Sequence, residues 1–123
     1  MTLTPDVLER RLIDFGISAC RELRRMPRDI VGTHVARQLV RSATSPAANY
    51  AEARASESHR DFVHKLQICL KELRETAVWL RLAQGLARRG GQPEPLEREC
   101  RELIAVFAAS VNTARSRSRD TTQ

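Results

Sequence analysis

Residues 61–80 read DFVHKLQICLKELRETAVWL, and this stretch carries the most regular apolar pattern in the chain. Its apolar side chains recur at steps of three and four residues: Phe62, Leu66, Cys69, Leu73, Ala77 and Leu80. That spacing places all six on one face of an α-helix. Ser58 precedes the stretch as a helix N-cap, and Gly90 follows as a terminator. The pattern predicts an amphipathic helix from Ser58 to about Arg88.

Three further segments show the same periodicity and predict three more helices. The first spans Thr4–Met26, the second begins between Asp29 and Thr33 and ends near Arg54, and the third spans Pro95–Thr113. Gly and Pro total only ten residues, which is too few for a turn-rich all-β chain. The sequence therefore predicts an all-α protein with an up-down-up-down four-helix bundle.

Composition bounds the domain count and the class of protein. A chain of 123 residues with 41% hydrophobic and 29% charged side chains predicts one globular domain. We assign residues 1–113 to the bundle and residues 114–123 to a disordered basic tail, because apolar periodicity stops near Thr113. The chain lacks an apolar run of membrane-spanning length and a signal-peptide pattern, so we expect a cytoplasmic protein without a membrane partner.

Residue types that commonly perform catalysis or bind metals show no recognisable spacing. Cys20, Cys69 and Cys100 lie 49 and 31 residues apart, which matches no zinc or redox motif, so we expect three small buried side chains. Di-iron bundles need Glu-x-x-His pairs, and none is present. The sequence therefore predicts no enzyme, with no catalytic residue, no metal site and no cofactor.

A polar stripe runs along the second and third predicted helices. On helix two it comprises Gln38, Arg41, Ser45, Asn49 and Glu52, and on helix three Asp61, Lys65, Glu72, Glu75 and Trp79. Three interpretations are open: a solvated face, an active site, or a network in which Arg41 pairs with a helix-three carboxylate and Asn49 bridges. Within helix three, Asp61–Lys65 and Lys71–Glu75 have the spacing of same-helix ion pairs.

Residues 38–53, QLVRSATSPAANYAEA, together with SxxDFVHKL at residues 58–66, resemble the rRNA intervening-sequence protein family. The resemblance implies a four-helix bundle that assembles into a homo-oligomer, typically a pentameric ring, without an established enzymatic activity. It also carries over the positions of the polar stripe, which favours the network interpretation. The matching positions are Gln38, Arg41, Ser42, Ser45, Asn49, Glu52, Asp61, Phe62, Lys65, Leu66, Glu72, Glu75 and Trp79.

Charge suggests the first hypothesis for function. The chain carries a net charge of +6, and 19 of its 21 basic residues are arginine, which binds phosphate through paired hydrogen bonds. This favours an accessory protein that binds RNA or another nucleic acid. The candidate contacts are Arg10, Arg11, Arg24, Arg25, Arg28, Arg88, Arg89, Arg115, Arg117 and Arg119. The alternative is a structural scaffold that docks a partner protein without nucleic acid, using the apolar row Ile13, Ile17 and Cys20.

Overall fold

The computed structural model describes residues 2–87 and 95–121, with side chains as far as Arg117 in the last helix. Within these ranges the chain forms α-helices and one short 3-10 turn, and it contains no β-strand. The helices are α1 (Pro5–Glu22), α2 (Ile30–Arg54), α3 (His59–Leu86) and α4 (Pro95–Thr121), and the 3-10 turn follows α1 at Leu23–Arg25. The predicted all-α class and the four helices are confirmed.

Short polar side chains fix where the first three helices begin. The Thr4 hydroxyl accepts a hydrogen bond from the Val7 backbone N–H at 3.2 Å. Asp29 accepts from Gly32 at 2.8 Å, and Ser58 accepts from Asp61 at 3.1 Å. Each bond satisfies a backbone donor that the first turn of a helix leaves without a partner.

Consecutive helices pack antiparallel. Glu52 near the end of α2 bonds Lys65 near the start of α3, and Cys100 early in α4 donates to the Leu73 carbonyl at 3.3 Å. α1 packs mainly on α2, while α3 lies between α2 and α4. The core contains one aromatic pair, Tyr50 against the fully buried Phe107, with ring centroids 5.5 Å apart.

The fourth helix is longer than the sequence pattern indicates. It continues to Thr121, beyond the predicted end near Thr113, so residues 114–121 are helical instead of a disordered tail. Ala114 is buried, and its carbonyl oxygen lies 2.8 Å from the His59 ring nitrogen at the start of α3. This interhelical contact stabilises a turn whose own sequence lacks apolar periodicity.

The expectation of three buried cysteines is correct for Cys69 and Cys100 and wrong for Cys20. Burial raises the pKa of the Cys69 thiol and of the Cys100 thiol to about 12. Cys20 is exposed, because the apolar row that it forms with Ile13 and Ile17 faces outward beside α2. No helix in residues 2–87 and 95–121 is both long and apolar enough to span a membrane.

Candidate nucleic-acid interface

One row of side chains along the outer face of α3 concentrates positive charge. Its positions follow steps of four and three residues, so they share the helix face opposite the core. We call this set the α3 row: Arg60, His64, Gln67, Lys71, Arg74, Val78 and Arg81. The row is about 31 Å long at 1.5 Å per residue. Its four cations are exposed and form no ion pair with the described residues.

Two acidic residues of α3, Glu72 and Glu75, pair with Arg41 of α2, and no acidic residue occupies a position of the row itself. Glu75 does not pair with Lys71, as the same-helix spacing suggested, but with Arg41 of α2 at 2.6 Å. Likewise Lys65 pairs with Glu52 of α2 at 2.7 Å instead of Asp61. Lys71 therefore stays available on the outer face.

Part of the polar stripe forms interhelical ion pairs at the α2–α3 surface. Arg41 bonds Glu72 at 3.2 Å as well as Glu75, and it also donates to Gln38 on its own helix. The hydrogen bond from Arg41 lowers the pKa of the Glu75 carboxyl. Because the Arg41 side chain is 49% exposed, this cluster is at the surface and not in the core.

Other positions of the stripe do not join this cluster. Among the described residues, Asn49 donates to the carbonyl and hydroxyl of Ser45 on its own helix and to no group of α3, so the predicted bridge between helices is wrong. The Trp79 ring packs against the His34 ring at 5.7 Å. Its indole nitrogen lacks a well-oriented partner among the described residues, although it is close enough to Glu75 to help lower the pKa of that carboxyl.

The arginines proposed from sequence for nucleic-acid binding are scattered. Arg11 is neutralised by Glu99 and Glu102, and Arg25 is 3.7 Å from Glu22. Arg10 is exposed without an ion pair to any described residue. Arg88, Arg89 and Arg119 lie outside the side chains that the structure describes.

Two further members of that set lie close together. Arg24 and Arg28 line a groove between α1 and α2, beside Arg21 and Arg37. We call these four exposed arginines the groove rim.

The end of α4 adds one cation beside the α3 row. When the Gln67 amide oxygen faces Arg115, it accepts a hydrogen bond from the Arg115 Nε at 3.0 Å. Arg117, also proposed from sequence, lines a pocket with His59 and Phe62 near the start of α3.

Sequence reasoning missed Arg60, Lys71, Arg74 and Arg81, although their spacing was visible. The arginines proposed from sequence are clustered along the chain, at most three residues apart within a cluster, whereas these four cations are spread over 22 residues. A search for basic residues at helical spacing finds them. What the sequence does not reveal is that Lys71 lacks a partner, since that depends on Glu75 pairing across to α2.

The described residues show no constellation of the kind that metal enzymes use. Within residues 2–87 and 95–121, no group of three or more His, Cys, Asp or Glu side chains is placed to hold a metal ion. The ionisable residues of the α2–α3 cluster are paired acid to base at the surface. The α3 row is a line of basic side chains, and such a line is suited to binding an anionic polymer.

Comparison with known proteins agrees with this fold. The family model for the 23S rRNA-intervening sequence protein matches residues 11–109. A crystal structure from Bacteroides thetaiotaomicron, of a protein with unknown function from the S23 ribosomal protein family, superposes with a TM-score of 0.72. The two sequences are 26% identical, and the superposition covers 89% of this chain and 99% of the chain from Bacteroides thetaiotaomicron. A search of curated proteins found no match. The chain belongs to the 23S rRNA-intervening sequence protein family.

Proposed function

We propose that this chain is a non-catalytic, self-assembling protein that binds RNA along the α3 row. The observation that carries the proposal is the row itself, in which four exposed cations lie along one helix face without a neutralising acid among the described residues. Cations without ion pairs keep their full attraction for phosphate. Arginines with carboxylate partners, such as Arg11 and Arg41, would first have to break those contacts.

The shape of the row favours binding to a phosphate backbone with little base specificity. Such contacts release counterions from the nucleic acid, so the affinity depends steeply on salt concentration. The row contains no aromatic side chain on which bases could stack. The family is named for an intervening sequence of 23S rRNA, which makes RNA the first nucleic acid to test.

We place self-assembly on the α2–α3 surface, next to the Arg41 cluster. Leu82 is 46% exposed and Leu86 37% exposed near the end of α3, and Ile30 is 87% exposed at the start of α2. Exposed apolar side chains of this size are typical of surfaces that another protein covers. The family resemblance suggests a homo-oligomeric ring, with five copies as the first stoichiometry to test.

The test compares RNA affinity in two variants with equal loss of charge. The row variant carries Arg60→Gln, Lys71→Gln, Arg74→Gln and Arg81→Gln. The rim variant carries the same change at Arg21, Arg24, Arg28 and Arg37, and is the matched control. Affinity is measured by fluorescence anisotropy with a labelled single-stranded RNA of about 16 nucleotides at low salt.

We expect the affinity of the row variant for RNA to be weaker by about tenfold or more. The affinity of the rim variant should stay within about threefold of that of the native chain. Circular dichroism should show native helix content in both variants, because all eight side chains are exposed. Equal losses of RNA affinity in the two variants would contradict a dedicated binding surface, because the net charge of the chain alone would then explain the affinity. An unchanged affinity in the row variant would refute the proposal.

A further inference from the structure

A groove between α1 and α2 combines an apolar floor with basic edges. One section has a volume of about 410 Å³ and is lined by Ile13, Gly16, Ile17, Cys20, Thr44 and Ala47, among others. The next section, about 480 Å³, continues past Ala36 and Val40 toward Met26 and Pro27. Arg24 lines both sections, so they are neighbours along the α1–α2 surface.

Close packing of the two helices makes the floor shallow and apolar. Gly16 packs so tightly on α2 that an added Cβ would lie 3.3 Å from the Ala43 carbonyl oxygen. Ile13 and Ile17 border this contact and are 44% and 45% exposed. They lie one helical turn apart, as do the apolar anchors of a helix that binds in a groove.

The charge around this floor has one sign. The groove rim supplies four exposed arginines, and no acidic residue lines either section. None of the four forms an ion pair with a described residue. Arg24 and Arg28 also line the neighbouring cavity at the end of the bundle, which has Glu22, Asp29 and Glu97 among its lining residues. Arg21 and Arg37 line the groove alone, and within the groove an acidic counterpart would have to come from an occupant.

We propose that the α1–α2 groove binds an amphipathic helix of a partner protein, with apolar residues on one face and acidic residues on both flanks. The apolar face would cover Ile13, Ile17 and Cys20, and the flanking carboxylates would pair with the groove rim. Ile13 to Arg24 extends about 16 Å at 1.5 Å per residue, which matches roughly three turns of a bound helix.

Other occupants fit the groove less well. A second copy of the chain could offer the exposed apolar side chains of α3, which are Val78, Leu82 and Leu86. Arg74 and Arg81 lie beside them and would repel the arginines of the groove rim. Single-stranded RNA would place bases on the floor, but no aromatic side chain lines either section to stack on them. A helix with an apolar stripe between acidic flanks matches both the apolar floor and the basic edges of the groove.

The experiment uses the full chain and a synthetic peptide of about 14 residues, helical in design, with Leu at positions i, i+3 and i+7 and Glu on both flanks. A second peptide carries Lys at every Glu position and is the matched control. Binding is followed by fluorescence anisotropy for the native chain, the rim variant, the row variant and Ile17→Asp. Protection of the Cys20 thiol from Ellman's reagent reports occupancy of the floor directly.

We expect the native chain to bind the Glu peptide at least about tenfold more tightly than the Lys peptide. The rim variant and Ile17→Asp should each lose this preference, the row variant should keep it, and the bound Glu peptide should slow modification of Cys20. Because the groove and the α3 row do not share residues, this result is independent of RNA binding.

Three results would overturn the proposal. The two peptides could bind equally, or Ile17→Asp with native helix content could bind the Glu peptide as the native chain does. Alternatively, native mass spectrometry could show that Ile17→Asp dissociates an oligomer, which would assign the groove to a second copy.

Discussion

At the scale of single residues, the polar stripe predicted the helix on which the partner of Arg41 lies, but same-helix spacing predicted the wrong partner for Lys65. Arg41 was expected to meet a helix-three carboxylate, and it bonds Glu72 and Glu75. Lys65 has Asp61 at the right spacing on its own helix, yet it bonds Glu52. Same-helix pairs contribute only a few tenths of a kcal/mol, so a better-placed carboxylate on a packed neighbour decides the pairing.

The pairing of Glu75 makes stability depend on pH. The hydrogen bond from Arg41 holds the pKa of the Glu75 carboxyl below its ordinary value of 4.5. The contribution of this carboxylate is therefore complete above pH 4.5 and disappears as the pH falls through the lower, folded-state pKa. We expect the urea midpoints of the native chain and Glu75→Gln to differ near neutral pH and to converge toward about pH 3.

The control for this prediction is Glu57→Gln, at an exposed carboxyl that forms no ion pair with the described residues. Its urea midpoint should follow that of the native chain at every pH. A constant difference between Glu75→Gln and the native chain across the same range would contradict the role of the Arg41–Glu75 pair.

The three thiols should differ sharply in reactivity. Cys20 is exposed, whereas Cys69 and Cys100 are buried and hydrogen-bonded to the Pro46 and Leu73 carbonyls. Because burial raises the pKa of both buried thiols to about 12, they should stay protonated at mildly alkaline pH. Ellman's reagent should modify one thiol per native chain and all three in denaturant. Rapid modification of a second thiol in the native chain would place Cys69 or Cys100 closer to solvent.

At the scale of the elements, periodicity and capping residues predicted the interiors and starts of the helices well. α2 begins and ends where the sequence placed it, and it continues through Pro46. The end of α4 was predicted too early, because the signal was the loss of apolar residues. A helix can continue without that signal where a neighbour holds it, as His59 does at Ala114.

Two helical glycines give a matched test of local packing. At Gly32, in the first turn of α2, an added Cβ would clash with the Pro27 carbonyl oxygen, which is a backbone atom. At Gly85, near the end of α3, nothing lies within 4 Å. We expect Gly32→Ala to lower the free energy of unfolding by about 1–3 kcal/mol, as overpacking does.

Gly85→Ala should instead raise the free energy of unfolding by about 0.5–1 kcal/mol, because Ala is the better helix former. Urea denaturation of both variants followed by circular dichroism measures the two changes. If Gly32→Ala raised the free energy of unfolding as Gly85→Ala does, the close approach of Pro27 to the start of α2 would be refuted.

At the scale of the whole molecule, composition predicted a basic protein but not which basic side chains lack an ion pair and are available to bind a partner. Ion pairs across helices neutralise several arginines, including Arg11, Arg41 and Arg54. The cations without such partners lie in part on the α3 row and in part on the groove rim. That division depends on helix packing, which no count of charged residues contains.

Self-assembly through the α2–α3 surface is tested by adding a charge to its exposed apolar part. Leu82→Asp should shift the mass seen by native mass spectrometry from the oligomer to smaller species, because an unpaired carboxylate is costly in an interface. The matched control is Leu3→Asp, which places the same charge at a residue 41% exposed before α1. Retention of the oligomer in Leu82→Asp, or its loss in both variants, would contradict this interface.

The most direct test of the central claim, that the α3 row binds RNA, is the salt dependence of RNA affinity. For single-stranded RNA, each lost phosphate contact reduces the slope of log affinity against log salt concentration by about 0.7. We predict that the four substitutions of the row variant reduce the slope by about 3, while the rim variant keeps the native slope within about 1. The same slope for the row variant and the native chain would contradict the claim.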